Sequence, residues 1–206
     1  MANMVELNGK IRRNLWNIIS SGLPLDYDLD ILRKFLLLNL ILLVGSIFLG
    51  ILAIIAFIQE DFILSFVDSA ILLFLMWLVY ILRKNKCYKF VGLLGTGITG
   101  FFYLFLIAHG GIEGTAYLWI LTYPLIVLYL LGKKLGTYYS ILFFCMTCIF
   151  LFLGRRIDSF QYYSISIIIR LVSVYATIYL IAFVTEVVRE KSQNKLENSR
   201  NELQDT

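Results

Sequence analysis

Four ionisable side chains carry the candidate chemistry of this 206-residue chain: Asp68 and Arg170 inside long apolar runs, and His109 and Glu113 in the short gap between two of them. Asp68 and Arg170 fall within runs, about six and about eight residues from the same end, or roughly 9 and 12 Å of helix. A charge at membrane depth is costly unless paired or hydrated, so each marks a functional position by default. An arginine so placed meets a ligand's carboxylate, phosphate or carbonyl, with Asp68 as its resting partner; the same pair would equally lock two helices together. Ser166, Arg170, Ser173 and Thr177 recur at i, i+4, i+7 and i+11, a polar stripe expected to face protein or a wet cavity. His109, the chain's single histidine, shares the stretch 107-IAHGGIEGTAYLW-119 with Glu113 and Trp119. Tyr123 follows Trp119 one helical turn later. Together these residues predict a small-molecule pocket, with Glu113, His109 and Trp119 as a lid and Arg170 in its floor.

Catalysis is not expected of this set. One histidine and scattered carboxylates supply neither a metal cluster nor a nucleophile beside a base. Cys145 and Cys148 lie mid-run without further ligands and read as small packing residues, and Cys87 stands apart. No metal and no cofactor is expected.

The elements that must position these residues are transmembrane helices. The chain is 60% hydrophobic and 16% charged, with a mean hydropathy of +0.82. Soluble domains sit nearer 45–50% apolar, and here the apolar residues are gathered into runs. Six runs approach the roughly 20 residues that cross about 30 Å of hydrocarbon: Phe35–Ile58, Phe62–Leu82, Phe90–Ala108, Ala116–Leu131, Tyr138–Leu153 and Tyr162–Phe183. Fifteen of the eighteen Lys and Arg residues fall on one side of this arrangement, which the positive-inside rule makes cytoplasmic. Both termini are then cytoplasmic and the HGGIEGT loop lies outside. The net charge of +4 is thus a topology signal, and no nucleic-acid partner is expected. The first run begins past residue 30 and is long enough to stay, so no cleaved signal peptide is expected. The fold class is an all-α integral membrane protein, a six-helix bundle with a cytoplasmic helical C-terminal extension.

Three segments follow. Residues 1–30 form a cytoplasmic lead-in, with KIRRNLWNIIS (10–20) reading as a short amphipathic helix in the headgroup layer. Residues 31–185 are the bundle, where Gly92, Thr96 and Gly100, and Ser46 and Gly50, let helix backbones approach closely. Residues 186–206 continue the last helix without Gly or Pro. Val188, Leu196 and Leu203 offer an imperfect seam for pairing with a second copy, since a polar helix of this length is marginal alone. A homodimer in a membrane is expected.

In the loop, Gly110 is placed to end the third helix in a left-handed turn, Thr115 to cap the fourth, and Pro124 to bend it. Beyond those roles, 110-GGIEGTAYLWILTYPLIVLYLLGKKLG-136 resembles the GG-x-x-x-T-x-x-LW…P…LLG-x-x-x-G signature of six-helix sensory input domains. These belong to bacterial membrane-bound diguanylate cyclases and sensor histidine kinases. The resemblance makes Gly110, Gly111, Thr115, Trp119 and Pro124 members of the signature. It implies a sensor in the bacterial cytoplasmic membrane whose exit helix leads to a cyclase or kinase domain, neither of which has its motif here. An alternative is a substrate-binding subunit of a six-helix vitamin or metal transporter. The polar C-terminal helix and the absence of an alanine-rich first helix argue against it.

Overall fold

The structure, a computed structural model, describes residues 29–154, 156–157 and 160–204, apart from the side chains of 29, 30, 113, 196–198, 200, 201, 203 and 204. The expected amphipathic helix over 10–20 and the side chains of Glu113, Leu196 and Leu203 therefore lie outside the described residues. The elements are α1 (Leu29–Ile58), α2 (Phe62–Asn85), α3 (Tyr88–His109), a 3-10 turn Ile112–Gly114, a 3-10 segment Ala116–Thr122, α4 (Tyr123–Leu153) and α5 (Ile165–Gln204). No strand occurs among the described residues.

Five helical segments are long and apolar enough to cross a membrane: Ile31–Ile58, Phe62–Asn85, Tyr88–His109, Ala116–Leu153 and Ile165–Lys195. Six runs become five segments because the fourth and fifth runs join inside α4. Gly132 interrupts that helix with φ 77° and ψ 177°, a region essentially reserved for glycine. The chain reverses there. The rings of Tyr123 and Phe143 lie 4.0 Å apart, whereas an unbroken helix would separate those positions by about 30 Å. A Cβ on Gly136 would sit 2.7 Å from Leu128 Cα, so the two arms (123–131 and 133–153) pack backbone to backbone beside the turn.

Pro124 does not bend a helix; it begins one, in the first turn of α4. A proline lacks an N–H and its ring clashes with the carbonyl four residues back, so it suits a first turn and disfavours α-helix upstream. Residues Ala116–Thr122 accordingly wind as the tighter 3-10 form.

The chain divides into two compact units, one ending at Gly95 and the next beginning at Thr96. In the first, α1 and α2 form an antiparallel hairpin. Asp61 caps α2 by accepting from the Leu64 N–H at 3.1 Å. The Ser65 hydroxyl donates to the Ala53 carbonyl at 3.0 Å, and Gly45 lies against Leu75. Lys86 ends α2 in the left-handed region, its N–H on the Leu82 carbonyl. The exterior of this unit is as apolar as its seam, with Ile47, Phe57, Phe66 and Leu73 well exposed, as a lipid-facing surface requires.

In the second unit, the part of α3 from Thr96 onward, both arms of α4 and α5 surround an aromatic core of Tyr103, Tyr123, Phe143 and Tyr175. α5 faces it with Ile168, Leu171, Tyr175, Ala182 and Glu186. That spacing of three, four, seven and four is the seam of one helix face.

Candidate functional site

The end of the second unit where α3 finishes and α5 begins holds the glycine-rich loop. Gly110 donates its N–H to the Leu106 carbonyl at 2.8 Å and turns at φ 89°. Gly111 and Gly114 follow at φ 63° and 70°, where a Cβ is strained. Space is the second constraint. A Cβ on Gly110 would lie 2.8 Å from Gln161 Cγ, and one on Gly111 would lie 2.5 Å from Ala116 Cβ. Gln161 belongs to the stretch entering α5, and its N–H donates to the Ala108 carbonyl at 2.8 Å. Two residues later the buried Tyr163 phenol donates to the Ile107 carbonyl at 3.1 Å. Its ring meets Tyr117 edge-on at 5.7 Å. Burial, with Tyr117 alongside, pushes the Tyr163 phenol up to about 12. The glycines thus form a seat in which the chain leading into α5 is fastened to the end of α3.

Thr115 does not cap the following segment. Its φ of −93° and ψ of −3° are helical rather than the extended angles from which a cap reaches forward. Its hydroxyl turns back to the Ile112 carbonyl at 2.9 Å.

Beneath the loop, polar tips hold the aromatic core. Tyr103 and Thr122 share a hydrogen bond of 2.8 Å. Tyr123 donates to the Thr96 carbonyl at 3.3 Å, and Gly100 leaves room for its ring. Tyr175 donates to the Ser140 carbonyl at 3.0 Å and stacks on Phe144 at 5.0 Å. Tyr123 is therefore a core residue, while Trp119 is 37% exposed. The 3-10 winding between them breaks the shared α-helical face that their spacing predicted.

His109 is half-buried and stacks on Phe105 at 5.4 Å. Ser166, Arg170, Ser173 and Thr177 are exposed, on the face of α5 turned away from its buried seam. Within this chain the stripe therefore borders none of the buried core. The hydroxyls tolerate an apolar exterior because Ser173 and Thr177 bond back to the carbonyls of Ile169 and Ser173, each at 2.9 Å. Asp68 lies in the first unit, 2% exposed on the buried seam of α2, and its Oδ1 has no hydrogen-bond partner. A narrow apolar cleft between Ile120, Thr147, Leu171 and Tyr175 has no room for a water molecule, and none of the expected lid residues lines it. No cluster of His, Cys, Asp and Glu that could hold a metal occurs among the described residues.

Three residues that sequence reading passed over organise this unit. Gln161 closes what reads as a polar separator and Tyr163 stands at the start of the sixth apolar run, with no periodicity to single either out. Glu186 opens a hydrophilic run that reads as a solvated helix, yet it is 1% exposed. Its signal was present: it continues the seam of Leu171, Tyr175 and Ala182 by one more turn.

A model of the MASE6 family matches residues 30–196. No curated protein and no solved structure matches the chain.

Proposed function

Because the chain belongs to MASE6, a family of membrane-associated sensory domains, we propose that it is the input module of a receptor that binds a small extracytoplasmic or membrane-soluble ligand. The observation carrying this reading is α5 itself. One unbroken helix of 40 residues bears Arg170 near its start, the core residue Tyr175 midway and a polar run at its end. A ligand that binds two arrangements of the bundle unequally would shift their populations, and α5 would hand that shift to an output domain. By resemblance the output is a diguanylate cyclase or a histidine kinase; the module itself performs no catalysis. Counting the two arms of α4 separately gives six crossings, with both ends in the cytoplasm of a bacterium and the glycine loop outside. The outward-facing Arg170, Ser166 and Ser173 make the bilayer side of α5 the reachable face, which favours an amphiphilic ligand with an acidic or carbonyl head. Asp68, His109, Glu113, Trp119 and Tyr123 remain candidates for ordering that response.

Paired exit helices in a homodimer would carry the signal. With Cys87, Cys145 and Cys148 replaced by alanine, Val188→Cys and Leu196→Cys should crosslink between copies in native membranes. Arg170→Ala should change the yield without changing the amount of protein. Absence of any crosslink would sink the paired-helix reading. Loss of the protein in Arg170→Ala would make Arg170 a structural lock instead.

A further inference from the structure

The buried seam of α5 ends in a carboxylate. Glu186 occupies the position where an apolar residue would complete the row of Leu171, Tyr175 and Ala182, and it is as buried as they are. On one side it meets the reversal of α4: a Cβ on Gly132 would lie 3.9 Å from Glu186 Oε1. Gly132 immediately precedes the arm 133–153. The first N–H groups of that arm have no preceding turn to bond and carry the positive end of its dipole. A carboxylate beside them is therefore complementary to the tip. On the other side it holds the next turn of its own helix. Arg189 Nε donates to Glu186 Oε2 at 2.8 Å, and Arg189 Nη2 closes on Oε1. Arg189 Nη1 then passes to Gln193 Oε1 at 3.1 Å.

The two turns of α5 just before Glu186 grip the same arm. Tyr179 donates to the Thr137 hydroxyl at 3.5 Å, and the Lys133 ammonium lies 5.9 Å from the centre of the Phe183 ring. The carboxylate thus sits where the packed part of α5 gives way to its polar run.

We propose that Glu186 is a clasp: it joins the Gly132 tip of the α4 hairpin to Arg189, and so sets the direction in which the polar end of α5 leaves the second unit. A displaced tip withdraws the dipole that faces the carboxylate, and Arg189 and Gln193 move with it. Glu186 is a positioning residue in this scheme, since it acts through Arg189 and touches no ligand. The inference rests on the reading that α5 transmits the signal, and it names the joint at which the hairpin is read out.

The test uses the full chain in lipid nanodiscs with its three cysteines replaced by alanine. Spin labels go on Lys134→Cys and Glu190→Cys, both exposed positions, and labelled protein is diluted into unlabelled protein so that only distances within one chain are read. The clasped protein should give one narrow distance distribution. Glu186→Gln should broaden or split it, Arg189→Gln should do the same, and the double variant should add nothing further, because the two act as one unit. Arg189→Lys, which keeps the charge but not the two-pronged donor, should fall between. An unchanged distribution in Glu186→Gln overturns the proposal, as does a double variant whose effects simply add. Should Glu186→Gln fail to assemble, Arg189→Gln read alone decides, since it leaves the buried seam intact. A label at Glu190 alone, undiluted, reports distances between copies. Their absence would count against the paired exit helices without touching the clasp.

Discussion

Tyr163 shows at the scale of one residue how the glycine loop does its work. Its phenol is buried, bonded to the Ile107 carbonyl, and ties the entry of α5 to the exit of α3. Tyr163→Phe removes the donor and leaves a buried carbonyl with one partner fewer, which should lower stability by about 1 kcal/mol, measured as thermal unfolding in detergent. The same bond has a pH signature. The folded pKa is raised from the ordinary 10.0 to about 12, chiefly by burial. The contribution of the neutral phenol is therefore complete below pH 10 and is lost as the pH climbs through about 12. Wild-type protein should lose its advantage over Tyr163→Phe across that window, and an advantage that stays constant to the top of it would show that Tyr163 ionises freely. Residues at this scale were unevenly legible in the sequence. The glycines announced themselves by pairing and position, whereas Gln161, the side chain they make room for, had nothing in its surroundings to mark it.

Among elements, the α4 hairpin is the one that hydropathy resolved least. The runs before and after GKKLG were visible, and so was the break between them. That the break is a single glycine with the arms in backbone contact was not, because close approach depends on what lies opposite Gly136 and not on the run itself. Gly136→Ala would set a methyl 2.7 Å from Leu128 Cα and 2.8 Å from the Val127 carbonyl oxygen. Neither is a flexible tip that can swing aside, so a loss of ~1–3 kcal/mol is expected. Gly97→Ala meets nothing within 4 Å and should be neutral or gain up to about 1 kcal/mol from helix propensity. Thermal midpoints of the two variants, compared with wild type, decide the matter; equal behaviour would mean that the arms are not in contact. Elsewhere α2 and α3 end within a few residues of their apolar runs, while α1 begins ahead of Phe35 and α5 runs on past Phe183 to Gln204. Composition could not foresee the 3-10 segment, which follows from Pro124 acting backwards on the turn before it.

For the molecule as a whole, an apolar exterior was legible from composition, and the structure bears it out residue by residue: Phe66, Phe101, Phe152 and Ile181 all stand exposed. The proposed orientation is open to direct test. In sealed vesicles with the cytoplasmic face inward and the native cysteines replaced, a membrane-impermeant maleimide should label Tyr162→Cys at once. Lys134→Cys should be labelled only after permeabilisation, and the reverse order would invert the topology. The 3-10 segment bears on how such a molecule sits in its bilayer. The stretch from Ala116 to the Gly132 turn has 16 residues before the glycine, about 24 Å if wholly α-helical. Seven of them are 3-10, and the steeper rise of that form extends the stretch to about 27 Å. A hydrocarbon core of roughly 30 Å would still exceed it slightly. In the proposed six-crossing arrangement, hydrophobic mismatch should therefore be felt first at this stretch, where winding can trade with length, and bilayer thickness becomes a variable to which the aromatic core directly below is mechanically exposed.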